Sequence, residues 1–262
     1  MTKEWIFTEL ARYKDVLEEK GYQVLYIGLY GSQNYNLDDE ESDIDVKAII
    51  MPNLHNIVFR EVVSKTIECE RGNIDVKDLL TFYNVIKKGN FSYIESIATQ
   101  YYIGDDYLKS LFSQIAVNKK SMLGAMYEKR KALTHEYPSK HDEFERWGFD
   151  PKQHHHILRL YDVLKHNYEC HDNKSFLTYE ENDPRRIELL NAKRNKGDIM
   201  KIFIELESDD IIIEAKKFIE DGYKYEEIDL SETVYEYIEN GIIKEIKQKE
   251  KTEHTFDLQE PT

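Results

Sequence analysis

Two apolar runs, Val24 to Tyr30 and Ile44 to Ile50, flank a polar loop that opens on Gly31-Ser32 and closes on Ser42-Asp43-Ile44-Asp45. Each run reads as a buried strand, and the second ends before Pro52. Side chains alternate along a strand, so Asp43 and Asp45 point one way while Ile44 and Val46 point into the opposite face. Any fold for this chain has to bury one side of that strand and find a use, or a counter-charge, for two neighbouring carboxylates on the other.

Around this segment the pattern is mixed, and then helical. Residues 3 to 20 carry Trp5, Ile6, Leu10, Tyr13, Val16 and Leu17 at helical spacing with Gly21 as the C-cap. Lys65 to Glu70 and Ile74 to Val76 flank Arg71-Gly72-Asn73, a hairpin signal, and Leu79, Phe82, Tyr83 and Ile86 begin a helix that ends near Gly89. Helices are expected over Asp106 to Val117, Lys119 to Leu133, Gln153 to Tyr168, Asp209 to Glu220 and Ser231 to Lys247, with a break at Pro138. Gln248 to Thr262 is charged and aperiodic and reads as a disordered tail. The expected fold is α+β in two domains. Residues 1–118 form a mixed sheet with flanking helices, residues 119–247 a helical domain that closes a cleft, and 248–262 the tail. The boundary rests on the change of pattern alone.

Composition narrows the classes. A chain of 262 residues with 40% hydrophobic and 12% aromatic content is that of a folded protein. Met1 to Leu10 has neither the basic start nor the apolar run of a signal peptide, and no window has the length of a membrane span, so a cytoplasmic protein without membrane contact is expected. Cys69 and Cys170 are far apart, which supports neither a disulfide nor a zinc site. A net charge of -15 disfavours extensive wrapping of nucleic acid, although a local basic groove can sit on an acidic body.

Two adjacent anions raise one carboxylate's pKa or recruit a cation, and this spacing suits magnesium, which a triphosphate can also ligate. A pair of ions roughly 3.5 to 4 Å apart usually wants a third carboxylate. Asp75, in Ile74-Asp75-Val76, is the candidate, with Glu68 and Glu70 as weaker ones. A glycine at a strand end lets the backbone approach a ligand, and the serine after it adds a hydroxyl and an amide that can hold phosphate oxygens.

Gly31-Ser32, Asp43-Ile44-Asp45 and Asp75 together resemble the signature of the DNA polymerase beta nucleotidyltransferase superfamily. Ile74-Asp75-Val76-Lys77-Asp78-Leu79, Gly89-Asn90, Glu95, Asp150-Pro151-Lys152-Gln153 and His155-His156-Ile157-Leu158-Arg159-Leu160 are similar to its RNA repair pathway DNA polymerase beta branch, over roughly residues 22 to 225. That branch usually has a glycine where this chain has Asn36, a residue that tolerates left-handed geometry. The resemblance implies a polymerase beta-like catalytic domain and two magnesium ions, with manganese as a substitute, ligated by Asp43, Asp45 and Asp75. It further implies a nucleoside triphosphate held by Gly31, Ser32 and Ser42, and transfer of its nucleoside monophosphate to an acceptor hydroxyl with release of pyrophosphate. ATP is the expected donor, and the acceptor, an RNA end, a protein side chain or a small molecule, stays open.

Plainer readings stand beside these. The aspartate pair next to Glu40 and Glu41 also reads as a solvated acidic loop, and Asp78 is better placed than Asp75 to cap the helix after it. His154, His155 and His156 point in different directions on a helix and do not share one ion. Lys152, His155, Arg159 and His166 lie along one side of that helix, opposite Ile157, Leu160, Tyr161 and Leu164. This basic side either faces a substrate or is solvated, as do Lys129, Arg130 and Lys131. Tyr30 and Tyr35 are the tyrosines nearest the phosphate turn. A non-catalytic nucleotide-binding or antitoxin-like regulatory module is the alternative function.

Overall fold

A computed structural model describes residues 3–39, 42–169 and 178–257. The N-terminal helix α1 (Lys3–Glu19) is followed by β1 (Val24–Tyr30) and β2 (Asp45–Ile50), which pair antiparallel. A short helix α2 (Leu54–Phe59) leads to the hairpin of β3 (Ser64–Cys69) and β4 (Gly72–Asp78). β4 lies parallel to β2, and β5 (Tyr102–Gly104) adds to the far edge of β1, giving one five-stranded mixed sheet of order β3-β4-β2-β1-β5. The architecture is α+β, with eleven α-helices among the described residues.

Alternation along the strands divides the apolar side chains between two cores. Ile27, Leu29, Ile44, Val46, Ala48, Ile50, Ile74 and Val76 pack under α1 against Ile6, Leu10, Tyr13 and Leu17. Leu25, Tyr26 and Ile49 face the other way, onto α3 (Leu79–Ile86) and α4 (Phe91–Ala98). Asp78 caps α3, accepting from the Thr81 N–H at 2.8 Å. α4 approaches β1 so closely that only a glycine fits at position 28, where a Cβ would stand 2.0 Å from the Ser96 carbonyl oxygen.

The second half holds α5 (Asp106–Phe112), α6 (Lys119–Leu133), α7 (His141–Trp147), α8 (Pro151–Glu169), α9 (Pro184–Lys193), α10 (Lys201–Lys217) and α11 (Ser231–Asp257). The apolar side of α8 is core, with Ile157 and Leu164 almost fully buried. One cluster of buried side chains runs across residue 118, joining Phe112, Ile115 and Val117 to Met122, Met126 and Ile157, so the two halves share a core. The chain's end also returns to its first half: the Tyr237 hydroxyl donates to Asp105 at 2.6 Å and the Tyr225 hydroxyl to the Ala116 carbonyl at 3.1 Å.

Some elements differ from the sequence expectation. α5 stops at Phe112, α10 begins eight residues before Asp209, and α2, α4, α7, α9 and β5 are additional. α11 continues past Lys247 to Asp257, since lysine, glutamate and glutamine sustain a helix without an apolar stripe. Glu40, Glu41, Cys170 and residues 258–262 lie outside the described residues. Cys69 is a free thiol, and no helix among the described residues is long and apolar enough to cross a membrane.

Candidate functional site

The C-terminal end of β1 opens into a turn whose first residue has to be a glycine. Gly31 adopts φ 103°, ψ −157°, a region essentially closed to residues with a Cβ. Its N–H is taken by the carboxylate of Glu95, which α4 delivers beneath the turn. A 3₁₀ turn over Ser32–Tyr35 follows, and Asn36 ends it in the left-handed conformation at φ 60°, ψ 36°. The Asn36 side chain donates to the Tyr179 carbonyl at 3.0 Å, Arg186 donates to the Asn36 carbonyl, and the Tyr179 N–H donates to the Tyr35 carbonyl at 3.1 Å. The segment entering α9 thus clamps the turn.

Asp43 and Asp45 both line a cleft of about 880 Å³ between this turn and the helices, while Ile44 and Val46 are fully buried on the α1 side. Asp43 is exposed and Asp45 half-buried. Burial first, and then the neighbouring Asp43 carboxylate, raise the pKa of Asp45 against the Asn73 N–H, which donates to it at 3.1 Å. The Ser42 hydroxyl is fully engaged: it donates to Asp39 at 2.7 Å and accepts from the Asp39 N–H at 2.9 Å and from Lys193 at 2.8 Å. Ser32 also lines the cleft.

Asp75 is not brought to this pair. In the parallel register it stands opposite Lys47, one alternation beyond Asp45, and it is not among the residues lining the cleft. Its carboxylate accepts from Lys47 at 3.0 Å, Lys77 at 3.1 Å and the Tyr93 hydroxyl at 2.9 Å. Burial pushes its pKa up, but Lys47, Lys77 and the Tyr93 hydroxyl together outweigh that and hold it below the usual carboxylate value. Neither of the two weaker candidates in the hairpin joins the pair in its place, since Glu70 is bound to Arg12 at 2.9 Å and Glu68 is exposed on the edge strand β3.

The opposite wall is basic. Lys152, His155 and Arg159 from α8 all line the cleft, together with His156 and Lys129, while His166 does not. Of the two cations that follow Lys129 in α6, Arg130 pairs with Asp209 at 2.7 Å and Lys131 is exposed. His155 Nδ1 lies 2.9 Å from the Leu189 carbonyl, so that nitrogen carries the proton and Nε2 is left unprotonated. Burial, reinforced by Arg159, lowers the His155 pKa to about 3. His154 turns away to Ser208 and Glu207, so the three histidines do not converge. Tyr30 lines the cleft, and Tyr35 is buried with the Arg159 guanidinium 4.5 Å above its ring.

No protein-family model matches the chain, and no curated protein matches it. Asp43 and Asp45 fit one magnesium ion, which characteristically takes one or two carboxylates and completes its shell with phosphate oxygens and water. Among the described residues no three His, Cys, Asp or Glu side chains form a group that could hold a metal.

The sequence reading did not identify Lys193 and Arg194 as site residues, although both line the cleft and pair with Asp39 at 3.2 and 3.0 Å. The signal was present: Asp183-Pro184 is an N-cap followed by proline at the first helical position, which marks the start of α9. Glu95 entered only through a resemblance, and its role in holding Gly31 follows from the contact with α4.

Proposed function

We propose that the protein is a magnesium-dependent nucleotidyltransferase that moves a nucleoside monophosphate from a nucleoside triphosphate, ATP in the first instance, to an acceptor hydroxyl. The observation that carries this reading is the gathering, in one cleft, of Asp43 and Asp45 at a strand edge, the Gly31-Ser32 turn beside them and the basic face of α8 opposite. Such a cleft can hold a polyphosphate and neutralise it as it reacts, which is most of what phosphoryl transfer asks of a protein.

In this reading Asp43 and Asp45 hold the ion and Ser32 meets the phosphates. The Gly31 amide contributes to the turn's shape, because Glu95 already occupies it. Magnesium, when bound, neutralises the phosphate oxygens and favours departure of pyrophosphate. The acceptor oxygen attacks the α-phosphorus in line, a new P–O bond forms, the bond to the β-phosphate oxygen breaks, and the hydroxyl proton passes to a base. His155 is neutral at pH 7 and presents an unprotonated Nε2, so it can accept hydrogen bonds in the cleft. A second ion would need Asp75 freed from Lys47 and Lys77, and no step here depends on it.

A second reading, a nucleotide-binding or regulatory module without turnover, is favoured by the engagement of Asp75, Ser42 and the Gly31 amide by the protein's own groups. Pyrophosphate release from each of the four nucleoside triphosphates, with magnesium and a mixed pool of RNA, protein and small-molecule acceptors, separates the two. Turnover lost in the Asp43→Ala, Asp45→Ala double variant supports the enzyme. Full activity in that variant overturns it, and tight calorimetric binding of magnesium-ATP without pyrophosphate in any arm supports the module.

A further inference from the structure

The five-stranded sheet ends on β3 at one edge and on β5 at the other. β5 has only three residues and offers little to pair with. β3 has six, in unbroken register with β4. One bond at its start tells which of its backbone groups face outward: the Asp78 N–H donates to the Val63 carbonyl at 3.0 Å, so Val63 points at β4. Hydrogen-bonded and non-hydrogen-bonded pairs alternate along an antiparallel ladder. Lys65, Ile67 and Cys69 therefore bond to β4 as Val63 does, and Ser64, Thr66 and Glu68 present their N–H and C=O groups to the open side.

Exposed edges are commonly blunted by a proline, a bulge or an outward lysine. No proline or bulge interrupts β3, and its one lysine is turned aside, with Lys65 Nζ 4.7 Å from the centre of the Tyr22 ring. The segment leading into the strand is apolar and faces solvent: Leu54, Ile57, Val58, Phe59 and Val62 are between 43 and 68% exposed. These five present on the order of 500 Å², toward the upper end of what a monomer leaves uncovered. With the strand edge added, the surface approaches the roughly 800 Å² that each partner contributes to a stable interface. The net charge of -15 opposes contact between copies over most of the molecule, but within residues 54–69 Arg60 and Lys65 balance Glu61 and Glu68.

We propose that β3 is a self-association edge, on which two copies of the chain pair antiparallel about a two-fold axis at Thr66 and join their sheets into one. Side chains alternate between faces, so a symmetric antiparallel pair needs a residue that faces its own copy at the centre, here Thr66 or Ile67. A Thr66 centre bonds the outward N–H and C=O of Thr66 to those of the other copy and makes a favourable threonine pair. It sets Glu68 opposite Ser64 of the other copy, whose hydroxyl oxygen accepts from Lys77 at 2.8 Å and whose proton can turn to the carboxylate. It also keeps the two Glu68 side chains four residues apart, roughly 13 Å, where an Ile67 centre would bring them to roughly 7 Å. The pairing uses no residue that lines the cleft, so it stands whether or not the chain turns over nucleotides.

The test is sedimentation equilibrium of the full chain across a wide range of concentration, which should show a reversible monomer–dimer equilibrium. Thr66→Pro removes an outward N–H and leaves the ladder to β4 intact, so the dimer should weaken by about tenfold or more while circular dichroism keeps the native signal. Mild oxidation of Thr66→Cys and of Ser64→Cys, each in a Cys69→Ser, Cys170→Ser background, reads the register and decides the matter if the proline variant does not fold. Across the axis the two residues 66 have Cα atoms about 5.5 Å apart, within disulfide reach, and the two residues 64 roughly 13 Å apart. A disulfide-linked dimer from Thr66→Cys and not from Ser64→Cys supports the proposal. No cross-link at 66, equal cross-linking at both positions, or a folded Thr66→Pro dimer as tight as the parent's overturns it. A chain that stays monomeric throughout also overturns it and leaves the edge to a strand of some other protein.

Discussion

Gly28→Ala and Gly124→Ala make opposite predictions from the same chemical change. At position 28 the new methyl would lie 2.0 Å from the Ser96 carbonyl oxygen, 2.7 Å from Tyr26 Cε1 and 3.0 Å from the Ser96 carbonyl carbon. Ordinary carbon–oxygen contact is about 3.3 Å, so α4 would have to retreat from β1 by roughly 1 Å or more. Both sides of the clash include backbone, which places the cost near the top of the overpacking range, about 3 kcal/mol. For a chain of this size that is a fall in Tm of roughly 6 to 12 °C. The retreat also carries Glu95 away from the Gly31 N–H, so the phosphate turn loses its support together with the packing. At position 124, inside α6, nothing lies within 4 Å of the added methyl. Alanine there gains about 1 kcal/mol of helix propensity and should raise Tm by roughly 2 to 4 °C. Thermal unfolding by circular dichroism, checked by urea midpoints, reads both. Shifts of the same sign, or a Gly28→Ala variant within 2 °C of the parent (roughly 1 kcal/mol), would refute the packing argument.

Substitutions at three further positions probe the carboxylates and the turn. Asp75→Asn strips the counter-charge from Lys47, whose side chain is only 6% exposed, and should cost about 3 kcal/mol in urea unfolding at pH 7. Because the Asp75 pKa is depressed, its stabilisation is present above the unfolded-state value and is lost as pH falls through the folded one; the variant should lack that acid-limb slope, and an unchanged midpoint counts against the network. Asp45 has the opposite sign: its pKa is raised, so its ionisation lowers stability as pH rises, and Asp45→Asn should stabilise the fold at pH 7 by about 1 kcal/mol while removing any magnesium-dependent Tm shift. Asn36→Ala should cost about 1 to 2 kcal/mol for the left-handed backbone, and Asn36→Gly should recover most of it, leaving the loss of the Tyr179 bond as the remainder.

The sheet's central strands, α1 and α6 were legible because their signals are local. Val24 to Tyr30 is apolar throughout, and Lys119 to Leu133 begins right after an Asn118 cap. The direction of Asp43 and Asp45 followed from alternation alone, as did the burial of Ile44 and Val46. Register was not legible. Nothing in Ile74-Asp75-Val76 says that the aspartate will stand opposite Lys47 rather than Asp45, yet this one step decides whether it meets the pair or two ammonium groups. Short helices were the other gap, since the eight residues of α4 supply barely two turns of periodicity, and its position depends on a glycine in a strand far from it in sequence.

The clamp between the turn and α9 has a consequence for how the molecule comes into being. Arg186 and Lys193 reach back across 150 and 151 residues to Asn36 and Ser42. On the ribosome the acidic loop emerges long before these partners exist, and its carbonyls and hydroxyl stay hydrated until the distal helices are made. An amino-terminal fragment released by a premature stop would hold both aspartates but no walled pocket, so a truncated chain should be unable to sequester substrate even where its sheet has formed.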